Sequence, residues 1–410
     1  MRRPVVTTAS VSTTSRVRLY PLRMRPDGDG WCVGRIETGD FVVVPAIAVV
    51  ALRLLGTGLS IEDVAERLRE EHGQEVNVVS FVDNLIDLGY IAEVDGRPVP
   101  GPAPIRPTWP WLRPEHVRWA LSPAVAAVVL VLPLAGLALL ALYPHLVPTY
   151  RDLLWSPHGS LVLAGNAAIC WSIIFLHELA HLATARAADV PGRVSLGTRL
   201  QFLAVQTDVS GIWAAPRRIR VTVYVAGMAV NLGVAAVAVA GRLVVGTHTT
   251  AGQILGATAL LSILMLPPQL LLFMRTDVYF VVQDLAGCHN LYGDAVGYIR
   301  YLLRRGASDP TAAMPGRERR AVRAYVPVLV VGTALCLLFA ATVTVPTAVT
   351  LFARAVSAFG DGASAGARLD GAATLLIVGG VWTLWCRAWW RRHGPRVAAW
   401  LARSRRQERR

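Results

Sequence analysis

Two histidines four residues apart, with a glutamate after the first, stand inside an apolar run: Trp171-Ser-Ile-Ile-Phe-Leu-His177-Glu178-Leu-Ala-His181. On a helix, positions i and i+4 share one face, so one metal ion can take both imidazoles. Glu178 beside them can accept a proton from a water on that metal. Zinc is the usual ion for this arrangement, because two neutral imidazoles leave room for a third protein ligand and a water. The HExxH string is short and recurs by chance, so its setting matters. Residues 161–182 are almost wholly apolar and long enough to cross a bilayer. Ionisable groups at such depth are expensive, and they are rare unless they serve a function. That cost weighs against a mere buried glutamate with two packing histidines.

The helices that must position this pair are read from hydropathy. Six apolar segments fall near 119–143, 161–182, 221–245, 253–275, 322–349 and 371–388, each long enough to span a membrane. Arginine placement orients them. The connection 183–220 holds Arg186, Arg193, Arg199, Arg217, Arg218 and Arg220, and 276–321 holds Arg300, Arg304, Arg305, Arg317, Arg319 and Arg320. The connection 246–252 has none, and the fifth offsets Arg354 and Arg368 with Asp361 and Asp370. This alternation puts both termini in the cytoplasm. His177 and His181 then lie near the cytoplasmic end of the second span. Asp277, after the fourth span, lies at about the same depth. It is the candidate third ligand, since a carboxylate completes a two-His, one-acid site. Asp284, seven residues on, is the runner-up, and Asp208 is a poorer third. Pro267-Pro268 interrupts the fourth span, so its end is expected to be broken where it frames the site.

Residues 194–209 alternate loosely: Leu196, Leu200, Phe202, Ala204 and Gln206 share one face of an extended run. The pattern fits a hairpin or edge strand at the membrane surface, or an ordinary amphipathic loop. An extended substrate can pair with such an edge by strand addition. Gly227 and Asn231 lie on one face of the third span. Gly227 permits close helix approach, and Asn231 can hydrogen-bond a ligand or a substrate backbone. The same two residues also suit plain helix packing.

The front of the chain reads as soluble. Residues 1–38 make a flexible start and a strand. Residues 39–96 order as three short helices and a hairpin, the size of a winged helix. Pro45 fits the first position of one helix, Ser60-Ile-Glu-Asp63 is a capping box for 61–72, and Ser80-Phe-Val-Asp83 repeats the device. Asp95-Gly96 is the hairpin turn. The helices are acidic, and 81–88 carries no Lys or Arg, which a major-groove reader would need. Peptide or intramolecular contact is the better expectation, and no nucleic acid partner is expected. Residues 97–116, with seven prolines, form a semi-rigid linker. Residues 117–390 make the six-span membrane domain, and 391–410 a basic cytoplasmic tail.

Totals agree. The 410 residues are 54% hydrophobic with net charge +14, and mean hydropathy is +0.45. The arginines gather between apolar runs, a distribution suited to loops facing anionic lipid. The five cysteines lack ligand or disulfide spacing, and Cys170 and Cys336 are expected to act as small hydrophobes. The fold class is a polytopic all-α membrane protein of about six transmembrane helices, carrying a small N-terminal winged-helix-like α+β domain.

Together these residues resemble the intramembrane zinc metalloproteases of the site-2 protease family. The nearest branch is the bacterial peptide zinc metalloprotease group, some of which carry a PqqD-like domain in front. The parts are His177–His181 in a span, Gly227-x-x-x-Asn231, and Met274-Arg-Thr-Asp277 followed by Tyr279-Phe and Asp284-Leu. The front module, about 39–95, is similar to the PqqD-like domains that hold leader peptides. The resemblance implies that His177, His181 and Asp277 bind zinc, that Glu178 activates water, and that Asn231 helps place substrate. It implies a multi-pass protein of the bacterial plasma membrane that hydrolyses a leader-type or membrane-associated peptide. Two positions depart from the family: Met228 stands where it commonly has Pro, and Val278 where it commonly has Gly. Neither departure removes a catalytic group. The competing reading is a non-catalytic transporter or export partner for a modified peptide. No ATP-binding loop or clear internal repeat supports that alternative, and no nucleotide site is expected.

Overall fold

The computed structural model describes residues 11–28, 30–157, 159–199, 202–304, 308–360 and 364–407. The first ten residues, Leu200, Arg305, Asp361 and the last three residues of the tail lie outside the described residues. The chain divides into two compact units. One takes the residues up to Ala126 with Ala180–Arg193 and Thr207–Val223; the other takes Ala127–Leu179, Val194–Gln206 and the chain from Tyr224 onward.

The first unit holds a mixed α+β arrangement. Strands β1 (Val17–Leu19), β2 (Arg23–Asp27), β3 (Gly30–Arg35) and β4 (Asp40–Val44) precede helices α1 (Ala46–Gly56), α2 (Ile61–His72) and α3 (Val78–Asp87). Strands β5 (Ile91–Val94) and β6 (Arg97–Pro98) follow. Two three-stranded sheets form, in the orders β1-β5-β6 and β2-β3-β4. Apolar positions at helical spacing on α2, Ile61, Val64 and Leu68, close over Val33, Leu52, Leu55 and Ile91 to make the core. Tyr90 is fully buried there, and its hydroxyl lies within hydrogen-bond reach of the carbonyls of Val33 (3.2 Å) and Asp40 (3.1 Å). Burial raises that phenol's pKa above its usual value.

Local signals account for most element ends. Ser60 and Asp63 form the reciprocal capping box of α2, which ends on Gly73 in the left-handed conformation. Asp95 and Gly96 both take positive φ, as the two-residue turn between β5 and β6 requires.

Three details differ from the sequence reading. Pro45 is the N-cap of α1, one residue outside the helix. The third helix starts at Val78, capped by the Asn77 side chain, which accepts from the Ser80 N–H. Asn caps as well as Ser does and comes first in the chain, so Ser80 falls inside the helix. Residues 11–20 are also ordered: β1 pairs with β5, and the Arg16 N–H donates to the Asp95 carboxylate at 2.7 Å. A three-residue strand is too short to show alternation in sequence.

Beyond the short helix α4 (Pro114–Val117) come the membrane elements. They are α5 (Pro123–Leu142), α6 (Gly159–Ala187), α7 (Arg217–Val245), α8 (Thr250–Leu264), α9 (Asp277–Ala286), α10 (Leu291–Leu303), α11 (Gly316–Phe339), α12 (Val345–Ser357) and α13 (Ala365–Gln407). Among the described residues, six stretches are long and apolar enough to cross a membrane: Pro123–Leu142, Leu161–Ala187, Arg217–Val245, Thr250–Leu270, Gly316–Thr342 and Ala365–Arg391. The protein is therefore a polytopic membrane protein with an N-terminal α+β domain. The third span is the most enclosed, with half of its window buried, against 6% for the first and the sixth. Between α11 and α12 one π-helical stretch, Ala340–Thr344, precedes Pro346. Such a bulge accommodates a ring that cannot donate a backbone hydrogen bond. Between α6 and α7, β7 (Arg193–Arg199) and β8 (Phe202–Asp208) pair as a two-stranded sheet.

A charge pair sits at the far end of the third span. The Arg242 guanidinium donates to Asp152 at 2.9 Å and to the Leu146 carbonyl at 3.1 Å, and both charged residues are buried. The Thr149 N–H donates to the same carboxylate at 2.7 Å. Gly256 makes the room, since a Cβ there would lie 2.6 Å from the Asp152 carboxyl carbon.

Candidate metal centre

His177, Glu178 and His181 occupy adjacent turns of α6, and all three are buried. The third residue of the cluster arrives by an irregular path. After α8 ends at Leu264, two 3-10 turns, Pro267–Leu270 and Leu272–Met274, carry the chain to α9. Arg275 takes a left-handed conformation (φ 57°), rare for a residue with a Cβ. Its guanidinium stands over the rings of Tyr279 and Tyr292, at 5.9 and 5.5 Å, where a cation is attracted. The Tyr325 hydroxyl donates to the Leu272 carbonyl at 3.0 Å, and Thr276 Oγ1 to the Gln269 carbonyl at 2.6 Å. These contacts hold the turn so that Asp277 opens α9 facing His177.

The donor atoms of His177, His181 and Asp277 all lie within 4.8 Å of one another. Among the described residues this is the one group of that kind. Each imidazole is oriented through its other nitrogen. Nδ1 of His181 meets the Val223 carbonyl at 2.8 Å, and a carbonyl only accepts, so Nδ1 carries the proton and Nε2 is the ligand atom. Nδ1 of His177 meets Asn231 Oδ1 at a longer 3.4 Å, which favours the same tautomer. In that tautomer His177 Nε2 presents its lone pair to Asp277 Oδ2 at 3.0 Å; in the other it donates a hydrogen bond to it. Two acceptors at that distance repel unless a positive charge, a proton or a metal ion, lies between them. Two donors on a tetrahedral zinc stand about 3.3 Å apart, given bonds of about 2.0–2.1 Å. The donor set and spacing fit a divalent metal.

The other sequence candidates lie elsewhere. Asp208 accepts from the Ser210 N–H and hydroxyl at 3.0 and 2.6 Å and is not part of the group. Asp284 is buried two turns along α9 and is likewise outside it. Asn231 is only 1% exposed, and its Oδ1 lies 3.4 Å from His177 Nδ1. Met228 and Val278 continue their helices without a break. Cys288, just past α9, is buried in an apolar cluster, and that burial pushes its thiol up to about 12, which makes it a poor nucleophile.

Gly227 is the contact that sequence reading undervalued. A Cβ there would fall on the imidazole ring of His177, against Nε2, Cδ2 and Cε1 together. A Gly227→Ala protein is expected to push the ring off its place and weaken metal binding about 10–100-fold, the range seen when a ligand's support is removed. Competition with a metal chelator measures it.

Comparison of the chain with protein-family models, with curated proteins and with solved structures finds no match. What is established is a polytopic membrane protein with a His/His/Asp cluster suited to a metal ion.

Proposed function

We propose that this protein is a zinc-dependent membrane endopeptidase acting on a leader-type or membrane-associated peptide. The observation that carries the reading is the convergence of His177, His181 and Asp277, whose donor atoms all lie within 4.8 Å of one another, beside a buried Glu178. His177, His181 and Asp277 are the residues that hold the ion; Asn231 and the Val223 carbonyl hold the two rings. Zinc, when bound, supplies a Lewis acid toward a peptide carbonyl. Glu178 takes the proton of the attacking water and passes it to the leaving amine. Burial of the histidines and Glu178 limits bulk water there and strengthens these electrostatic interactions. The β7–β8 pair offers an extended edge against which a substrate backbone can align. The N-terminal α+β domain is the candidate holder of a peptide leader. Both termini are assigned to the cytoplasmic side by the arginine distribution.

The test uses the full-length protein in detergent. Chelation is expected to abolish hydrolysis of a labelled apolar peptide, and one equivalent of zinc to restore it. Cleavage that is indifferent to chelation while the metal is shown to be gone rejects the reading.

A further inference from the structure

We propose that Arg387 and Arg391, with Trp390 beside them, form a binding site for the phosphate of an anionic phospholipid where the sixth span leaves the apolar layer. The site stands apart from the metal centre and holds whether or not that centre cleaves peptides.

Helix α13 runs from Ala365 to Gln407, and its apolar span ends at Arg391. Only 6% of that span's window is buried, so the helix presents its sides to lipid. Trp382, Trp385, Trp389 and Trp390 crowd its end and mark the depth, because indoles collect at the level of the headgroups. The rings of Trp385 and Trp389 stack with centroids 6.4 Å apart, and His393 continues the row 5.1 Å from Trp389. That row follows one face of the helix. At about 100° per residue, Arg387, Trp390 and Arg391 fall on the opposite face. Both arginines are exposed, and among the described residues neither meets a carboxylate. Being four residues apart they are neighbours, about 5–6 Å between Cβ atoms, so two guanidiniums can close on one anion. Trp390 is 60% exposed, and its indole lies against Gly394, where a Cβ would stand 3.1 Å from Nε1. A side chain at that position would push the ring away from the helix. Charge and depth choose the occupant. Two uncompensated guanidiniums take an anion, and at the rim of a lipid-facing span the anion at hand is a phospholipid phosphate, which matches their paired N–H donors. The chain beyond offers little competition: residues 391–410 hold eight arginines and one acid, Glu408.

The test uses full-length protein in a neutral detergent, titrated with short-chain phosphatidylglycerol or phosphatidylcholine, with bound lipid counted by native mass spectrometry. The parent protein is expected to hold phosphatidylglycerol in preference to phosphatidylcholine. The double variant Arg387→Gln/Arg391→Gln is expected to bind it about twenty-fivefold more weakly, about fivefold for each arginine removed near a headgroup. The matched control is Arg405→Gln/Arg406→Gln, which removes the same charge further along the helix and is expected to bind as the parent does. Thermal unfolding checks that the variants are folded; both arginines are exposed, so their loss leaves no buried group stranded. Equal affinity of the parent for the two lipids overturns the proposal, as does unchanged binding by Arg387→Gln/Arg391→Gln. An equal loss in the control variant replaces the site with diffuse attraction and overturns it too. Displacement of the lipid by inorganic phosphate at the same concentration assigns the pair to a soluble anion and likewise rejects a lipid site.

Discussion

Asp277→Ala protein is expected to purify without its metal, the affinity falling at least about a hundredfold. Loss of outer support alone costs about 10–100-fold, and Asp277 is a ligand in this reading. The substitution also removes the carboxylate that faces His177 Nε2 at 3.0 Å, so the ring loses its anionic partner as well as the ion. Asp208→Ala is the matched control: its carboxylate caps the Ser210 turn, and metal content should not change. Metal analysis of the two purified proteins, reconstituted side by side, decides the point. Full retention by Asp277→Ala excludes the His/His/Asp assignment.

The Glu178→Gln protein should behave in the opposite way. The amide matches the acid in shape, so α6 and the two histidines keep their places and the metal is retained. Hydrolysis is expected to fall about 10²–10⁴-fold, the usual contribution of a positioned general base. The comparison is turnover per bound zinc, with folding checked by thermal unfolding. Turnover equal to that of the parent protein dismisses Glu178 as the base. The two substitutions together separate holding the ion from using it.

Sequence carried the parts of this site that depend on period. Four-residue spacing puts His177 and His181 on one face of α6, and six apolar runs become six spans. Proline chemistry marked the broken fourth span. What stayed hidden depends on paths rather than periods. Nothing in Leu271–Thr276 announces that Arg275 turns left-handed, or that Tyr325, fifty residues on, fixes Leu272. Those contacts decide that Asp277, and not Asp284 or Asp208, reaches the histidines. Asn231 shows the same limit. Its residue type suits either a substrate or a neighbouring ring, and nothing in the sequence shows that its Oδ1 lies 3.4 Å from His177 Nδ1. In the first unit, Asn77 and Ser80 were equally good caps by type, and chain order chose between them.

The clasp of Arg242 on Asp152 has a bearing on how the chain assembles. Neither charge is cheap to hold alone in an apolar layer, and removing one partner of such a pair strands the other at a cost of about 3–5 kcal/mol. The loop bearing Asp152 lies ninety residues earlier in the chain than the arginine it meets. The third span is therefore tied to that earlier loop by a buried ion pair. Gly256, on the fourth span, leaves space for the pair, since a Cβ there would also lie 2.8 Å from the Arg242 guanidinium. One ion pair and one missing methyl group thus join the third span, the fourth span and the loop before the second.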